Sequence, residues 1–120
     1  MKKRHRSKMY TYKLLQIAPV STDAKEAIFR SKAELEQLGR PIAPAHYKQV
    51  YHGQVCGAIP ALLNNLYMKF NLYLPSDFRG RTMSLSDIIL LYHNNREEAY
   101  YCDSIGFQKI ADFNSKEVMK

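Results

Sequence analysis

Phe70-Asn71-Leu72-Tyr73-Leu74-Pro75-Ser76-Asp77-Phe78-Arg79-Gly80-Arg81-Thr82-Met83-Ser84-Leu85-Ser86-Asp87 holds a helix end, a tight turn and a strand entry in eighteen residues. Upstream, Ile59, Leu62, Leu63, Leu66, Tyr67 and Phe70 recur at i, i+3, i+4, i+7, i+8 and i+11, the apolar stripe of an amphipathic helix. Pro60 suits the first turn of that helix, where a missing amide leaves nothing unpaired. Pro75 and the turn Asp77-Phe78-Arg79-Gly80 end the helical stretch. Downstream, Ser86–Tyr92 is rich in Ile and Leu, and Ala99–Cys102 is rich in Tyr. Between them His93-Asn94-Asn95-Arg96 supplies asparagines that tolerate positive φ, so the pair is predicted to form a β-hairpin.

Working outward, Tyr10, Tyr12 and Leu14 alternate with Thr11, Lys13 and Leu15, which predicts a first strand over Met9–Ile17, ended by Pro19. Ser21–Phe29 is open between a short helix capped by Asp23 and an irregular crossover. Ser31 and Glu34 have capping-box spacing, Leu35 and Leu38 give a short apolar face, and Gly39 stands at the C-terminal cap. Pro41 and Pro44 exclude regular structure between Arg40 and Ala45. Tyr47, Gln49 and Tyr51 alternate along a short strand expected to break at Gly53. Ile110–Phe113 is expected to fold a last apolar segment back on the sheet.

This order predicts a small α+β domain with a mostly antiparallel sheet, one main amphipathic helix, a second short helix and a C-terminal hairpin. The helix should press Leu62, Leu66 and Phe70 on Ile88, Leu90 and Tyr101 or their neighbours. The other sheet face, only partly covered, would leave tyrosines for a partner. Residues 1–8 read as a basic flexible tail, 9–113 as the domain and 114–120 as a flexible C-terminal tail.

One hundred and twenty residues suffice for one core without metal or disulfide staples. The formal charge of +7 is concentrated in Lys2, Lys3, Arg4, Arg6 and Lys8, which leave only +2 for the rest. Such a tail suits phosphate backbones, although a solvated leader is the simpler reading. Its basic start is followed by Thr11, Lys13 and Gln16 rather than an apolar run, so neither an export signal nor a membrane span is expected, and a cytoplasmic location is. Cys56 and Cys102 read as small apolar residues rather than a disulfide. His46, His52 and Cys56 lack a fourth ligand and zinc-finger spacing, so no metal and no cofactor is expected.

Four segments, among them Phe70–Asp87, together resemble the YodL-like domain family, small accessory proteins of Gram-positive bacteria and their mobile genetic elements. Tyr10-Thr11-Tyr12-Lys13-Leu14 is similar to the family's aromatic first strand, and Tyr47-Lys48-Gln49-Val50-Tyr51-His52-Gly53 to its Tyr-x-x-Val-Tyr-x-Gly element. Phe70-Asn71, Pro75, Asp77-Phe78, Gly80 and Ser84-Leu85-Ser86-Asp87 carry the most specific part, and Tyr100-Tyr101 with Asp103-Ser104 and Gly106-Phe107 completes it. Thr82, Met83 and Cys102 depart from the pattern but keep its size and polarity. The resemblance implies a fold and brings no general enzymatic activity or cofactor with it.

Asp77, Asp87 and Asp103 are better explained as turn and strand-edge residues than as a catalytic cluster. Ser84 and Ser86 lack a nucleophile elbow, which leaves a hydrolase as a minor alternative. The expected function is therefore non-catalytic: an accessory protein that binds a larger bacterial protein or machine and modulates it. Phe78, Arg79, Arg81, Tyr10, Tyr12, Tyr51 and Tyr100 are the candidate contact residues, because Tyr and Arg dominate interface hot spots. The alternative is a mobile-element-encoded binder of nucleic acid or ribonucleoprotein, such as a counter-defence inhibitor. It would use Lys2, Lys3, Arg4, Arg6 and Lys8 with Arg79 and Arg81.

Overall fold

The computed structural model describes residues 8–119. Residues 1–7, which hold four of the five tail cations, and Lys120 lie outside the described residues. Five antiparallel strands form one sheet in the order β2-β1-β3-β4-β5. They are β1 (Met9–Ile17), β2 (Tyr47–Cys56), β3 (Ile88–His93), β4 (Arg96–Cys102) and β5 (Phe107–Ile110). Helices α1 (Thr22–Ala27) and α2 (Lys32–Gln37) lie between β1 and β2, and α3 (Ile59–Leu72) lies between β2 and β3. The α+β class holds.

The first strand is the second of the five, bonded to β2 on one side and β3 on the other. Its period of two sends Tyr10, Tyr12 and Leu14 into one apolar cluster and Leu15 and Ile17 into another. The first cluster joins these residues to Leu62, Leu63, Leu66 and Phe70 of α3. Opposite them stand Ile89, Leu91 and Tyr100, the immediate neighbours of the residues expected under the helix. Ile88, Leu90 and Tyr101 point the other way, toward Ala24, Ala27, Leu35 and Tyr47. Both faces are thus covered over most of the sheet, and the expected surplus of free tyrosines is absent.

Local signals mostly placed the elements. The Ser31–Glu34 capping box is reciprocal, with Glu34 Oε1 accepting from Ser31 N–H at 2.9 Å and Ser31 Oγ from Glu34 N–H at 3.1 Å. Asn94 and Asn95 both take positive φ, 51° and 64°, in the turn between β3 and β4.

The structure differs from the sequence reading at several points. The cap of α1 is Ser21, whose Oγ accepts from Ala24 N–H at 3.1 Å, rather than Asp23. Asp23 is instead held by Arg40 at 2.8 Å. The second strand does not break at Gly53 but continues to Cys56. There, a Cβ would lie 3.0 Å from the Tyr12 hydroxyl, so the missing side chain makes room for a buried ring on the neighbouring strand. The register shift opposite Leu14 and Leu15 makes Val50 an extra residue in β2, returning Tyr51 and Val55 to the α3 face.

The last strand comes earlier than expected, at Phe107–Ile110, while Ile110 and Phe113 do pack on the second face. Residues 114–119 were expected to be a free tail, but they dock. Val118 packs on the second cluster, and Met119 N–H donates to the Tyr47 carbonyl at 2.8 Å. Phe113 stands edge-on to Tyr47 at 5.9 Å.

The packing yields a contrast within one helix. Phe70 is fully buried and Leu72, two residues on, is 66 % exposed. Phe70→Ala is expected to cost about 3–5 kcal/mol and Leu72→Ala less than about 0.5 kcal/mol, as read from urea unfolding midpoints.

Candidate functional site

The Pro75–Asp87 segment crosses from the end of α3 to the start of β3 and closes over a side chain of β1. Gln16, on the α3 side of β1 yet almost fully buried, reaches this segment with both amide atoms. Its Nε2 donates to the Arg81 carbonyl at 2.8 Å and to Asp87 Oδ2 at 2.9 Å, while its Oε1 accepts from Arg81 N–H at 2.9 Å. Asp87 Oδ2 also accepts from Ser84 N–H at 3.0 Å. Gly80 permits the approach, because a Cβ there would stand 2.6 Å from Gln16 Oε1 and 2.8 Å from the Phe78 ring.

The residue just before Asp87 is strained. Ser86 has φ of 81°, unusual for a residue with a side chain. Three bonds hold it: Ser86 N–H donates to the Cys102 carbonyl at 3.0 Å, its Oγ accepts from Phe29 N–H at 3.1 Å, and its carbonyl accepts from Tyr47 OH at 2.6 Å. The most specific stretch of the family pattern is therefore an internal clasp between strands and crossovers.

Asp87 is 1 % exposed, and burial pushes its carboxyl up to about 7 despite the Gln16 and Ser84 bonds and the Arg81 charge, which act in the opposite direction. Neither Asp87 Oδ1 nor Ser84 Oγ has a hydrogen-bond partner among the described residues. Burial likewise raises the Tyr101 hydroxyl above its ordinary value and the Cys102 thiol to about 12, so that cysteine is a poor nucleophile. Asp77 is exposed and accepts from Tyr51 OH at 2.9 Å. Asp103 Oδ1 accepts from Lys32 N–H at 3.2 Å, tying α2 to the β4–β5 turn. The three carboxylates thus have three separate structural uses. No group of three or more His, Cys, Asp or Glu residues among the described residues is placed to hold a metal ion.

The candidate contact residues are not brought together on the surface. Tyr10, Tyr12 and Tyr100 are buried. Tyr12 is edge-on to Phe70 at 6.2 Å, and Tyr100 OH donates to Glu98 at 2.8 Å. Tyr51 and Phe78 are half-buried in an aromatic group with Phe70, at 5.3 and 5.2 Å from its centroid. Arg81 is half-buried too: its guanidinium donates to the Ile17 carbonyl at 3.0 Å and lies 5.7 Å from the Phe29 ring. Arg79 alone is exposed, donating to the Ser76 carbonyl at 3.2 Å. Of the basic tail, Lys8 is described and exposed.

A different surface emerges beside Arg79 in sequence. Tyr67, Met68, Leu72, Tyr73 and Leu74 are all exposed, Leu72 and Tyr73 by 66 % and 70 %. Tyr67 belongs to the apolar stripe of the sequence, yet it is 41 % exposed and stands edge-on to Phe107 at 6.5 Å. Met68 and Leu72, at i and i+4, share a side of α3 away from the buried stripe. An excess of apolar residues over what one stripe can hold is the sequence signal that marks them.

A family model, the YodL-like domain, matches residues 11–113. The chain belongs to the YodL-like domain family. No curated protein and no solved structure gives a significant match. The matched span contains the whole sheet from Thr11, α3 and the Gln16–Asp87 clasp, and it ends at Phe113 on the second face.

Two tests follow from this YodL-like clasp. Gly80→Ala, which sets a Cβ against Gln16 and Phe78, is expected to lower stability by about 1–3 kcal/mol in urea titrations. Asp87 gives a pH dependence. With its folded value near 7 and an ordinary value near 4, the folded chain keeps a proton that the unfolded chain releases between those limits. Stability is therefore highest below about pH 4 for this group, falls as pH rises, and levels above about 7. Unfolding free energy should drop between pH 5 and pH 8 by an amount on the order of 2–3 kcal/mol. Asp87→Asn, which stays neutral and keeps one acceptor oxygen, should remove most of that slope.

Proposed function

We propose that the chain is a non-catalytic accessory protein that binds a larger bacterial protein in the cytoplasm and modulates it. The outer end of α3 is its contact surface. The carrying observation is the exposed apolar run Tyr67, Met68, Leu72, Tyr73 and Leu74, bordered by Lys69 and, farther along the chain, by Arg79. Isolated exposed apolar residues are ordinary, but five within eight positions form a patch of the kind that interfaces cover. The aromatic and methionine content suits a desolvated centre, and the cations suit its polar rim. The patch also sits on a firm base, because the same helix buries Leu62, Leu66 and Phe70 in the core.

Catalysis finds less support. Asp87 and Ser86 are buried and committed to holding the chain, and the Cys102 thiol is raised far above the range in which it would react. The reading thus rests on a surface with no evident structural duty, whereas the reactive residue types have one.

The test is retention of proteins from a Gram-positive lysate, treated with nuclease, on the immobilised full chain and on a Leu72→Ser/Tyr73→Ser variant. The variant's thermal midpoint should match the parent's, since both positions are exposed. A protein held by the parent and reduced at least about tenfold on the variant is the expected result. Equal retention by both chains would remove this surface from the interaction.

A further inference from the structure

A pocket adjoins the exposed run on α3. Asn64 and Tyr67 of α3, Leu85 of the crossover and the β4–β5 turn enclose a volume of about 410 Å³, within the range of small-ligand sites. Tyr67 and Phe107, edge-on at 6.5 Å, both line it, so the pocket shares an aromatic wall with the apolar run. Ile105, at the tip of the same turn, is 86 % exposed and adds another apolar side chain to this end of the molecule.

One charge faces the space. Asp103 is the only charged side chain in the lining, which holds no Lys, Arg or His. Its Oδ1 accepts from Lys32 N–H at 3.2 Å and from Ser104 N–H at 2.8 Å, so two backbone donors fix the carboxylate's orientation. Among the described residues Oδ2 has no hydrogen-bond partner and Asp103 has no ion pair. The cations closest in the fold are placed otherwise. Lys109 Nζ is 2.9 Å from Glu98, Lys69 Nζ lies 5.8 Å from the Phe70 ring centroid, and Lys32 offers Asp103 its backbone N–H. Aromatic walls beside a half-engaged carboxylate suit a group that is cationic at its tip and apolar along its stem. A guanidinium fits better than an ammonium, because it is planar, stacks on rings and is less strongly hydrated.

We propose that this pocket receives an arginine side chain of the partner protein, its guanidinium on Asp103 Oδ2 and its stem along Tyr67 and Phe107. The inference rests on the reading that the outer end of α3 contacts a protein, and it names the anchor that such a partner inserts. Arginine and aromatic residues are the side chains that most often dominate an interface of this kind.

The test is a two-dimensional amide NMR titration of the full chain with N-acetyl-arginine amide, which requires no partner. A dissociation constant of about 1 mM is expected for a ligand of this size, with shifts at Ser104, Gly106 and Phe107. N-acetyl-citrulline amide, of similar shape and no charge, should bind at least about tenfold more weakly, and N-acetyl-lysine amide should also bind more weakly than the arginine compound. Asp103→Asn keeps an oxygen for both backbone donors and should cut affinity by at least about tenfold. Tyr67→Leu, at an exposed position, should cut it by about two- to fivefold and is the check should Asp103→Asn fail to fold. Three results would overturn the proposal: no shifts in the β4–β5 turn at about 10 mM ligand, equal affinity for the citrulline or lysine compound, or affinity unchanged by both variants. The two readings fail separately. A negative titration removes the arginine pocket whatever the lysate shows, and equal retention by the Leu72→Ser/Tyr73→Ser chain removes the α3 run whatever the titration shows.

Discussion

The side-chain amide of Gln16 is the bond on which this architecture depends. It lies on a strand bonded on both sides, so it cannot shift without moving β2 or β3. From there it fixes the backbone at Arg81 and the carboxyl of Asp87, two points on an irregular segment with little regular structure of its own. An uncapped crossover of that length would leave backbone polar groups unpaired under α3. The amide donates two hydrogen bonds and accepts one, whereas a hydroxyl has a single hydrogen to donate and a carboxylate none. Asp87 adds the Ser84 N–H, and Ser86 then receives Phe29 from the β1–β2 crossover and Tyr47 from the start of β2. One buried polar group therefore couples both layers of the fold.

That coupling explains the cost the protein accepts at Asp87. A carboxyl buried this deeply is harder to ionise than an ordinary one, and one of its oxygens has no partner among the described residues. The positive φ of Ser86 is a second local cost, offset by three hydrogen bonds. Strain and perturbed acidity often mark active sites, and here both have a structural cause. Their concentration in one stretch also accounts for the density of family-specific residues between Pro75 and Asp87.

Much of the fold was legible because its signals are local. The α3 stripe, the Ser31–Glu34 box, the Asn94-Asn95 turn and the alternation in β1 each need only a few neighbouring residues to read. The errors arose where a distant residue decides. Gly53 looked like a strand end, but its use is to admit Tyr12 from the adjacent strand. Residues 114–119 looked free, yet Tyr47 and Lys48 receive them across the chain. Burial of Tyr10, Tyr12 and Tyr100 depends on cover for both sheet faces, and a sequence of strands and helices does not state how the second face is closed. Tyrosine, apolar in its ring and polar at its tip, reads equally well as core or contact surface.

The exposed end of α3 was missed for a related reason. A 3.6-residue periodicity identifies which positions can face the core, but not how far along the helix the sheet extends. The last turn holds Phe70 inward while Leu72, Tyr73 and Leu74 leave the sheet's cover, so apolar character persists after burial has ended. The following segment is held instead by Phe78 and Met83, packed into the α3 cluster, together with the Gln16 and Asp87 bonds. With the segment anchored at those points rather than at the helix end, the apolar side chains of Leu72, Tyr73 and Leu74 stay exposed.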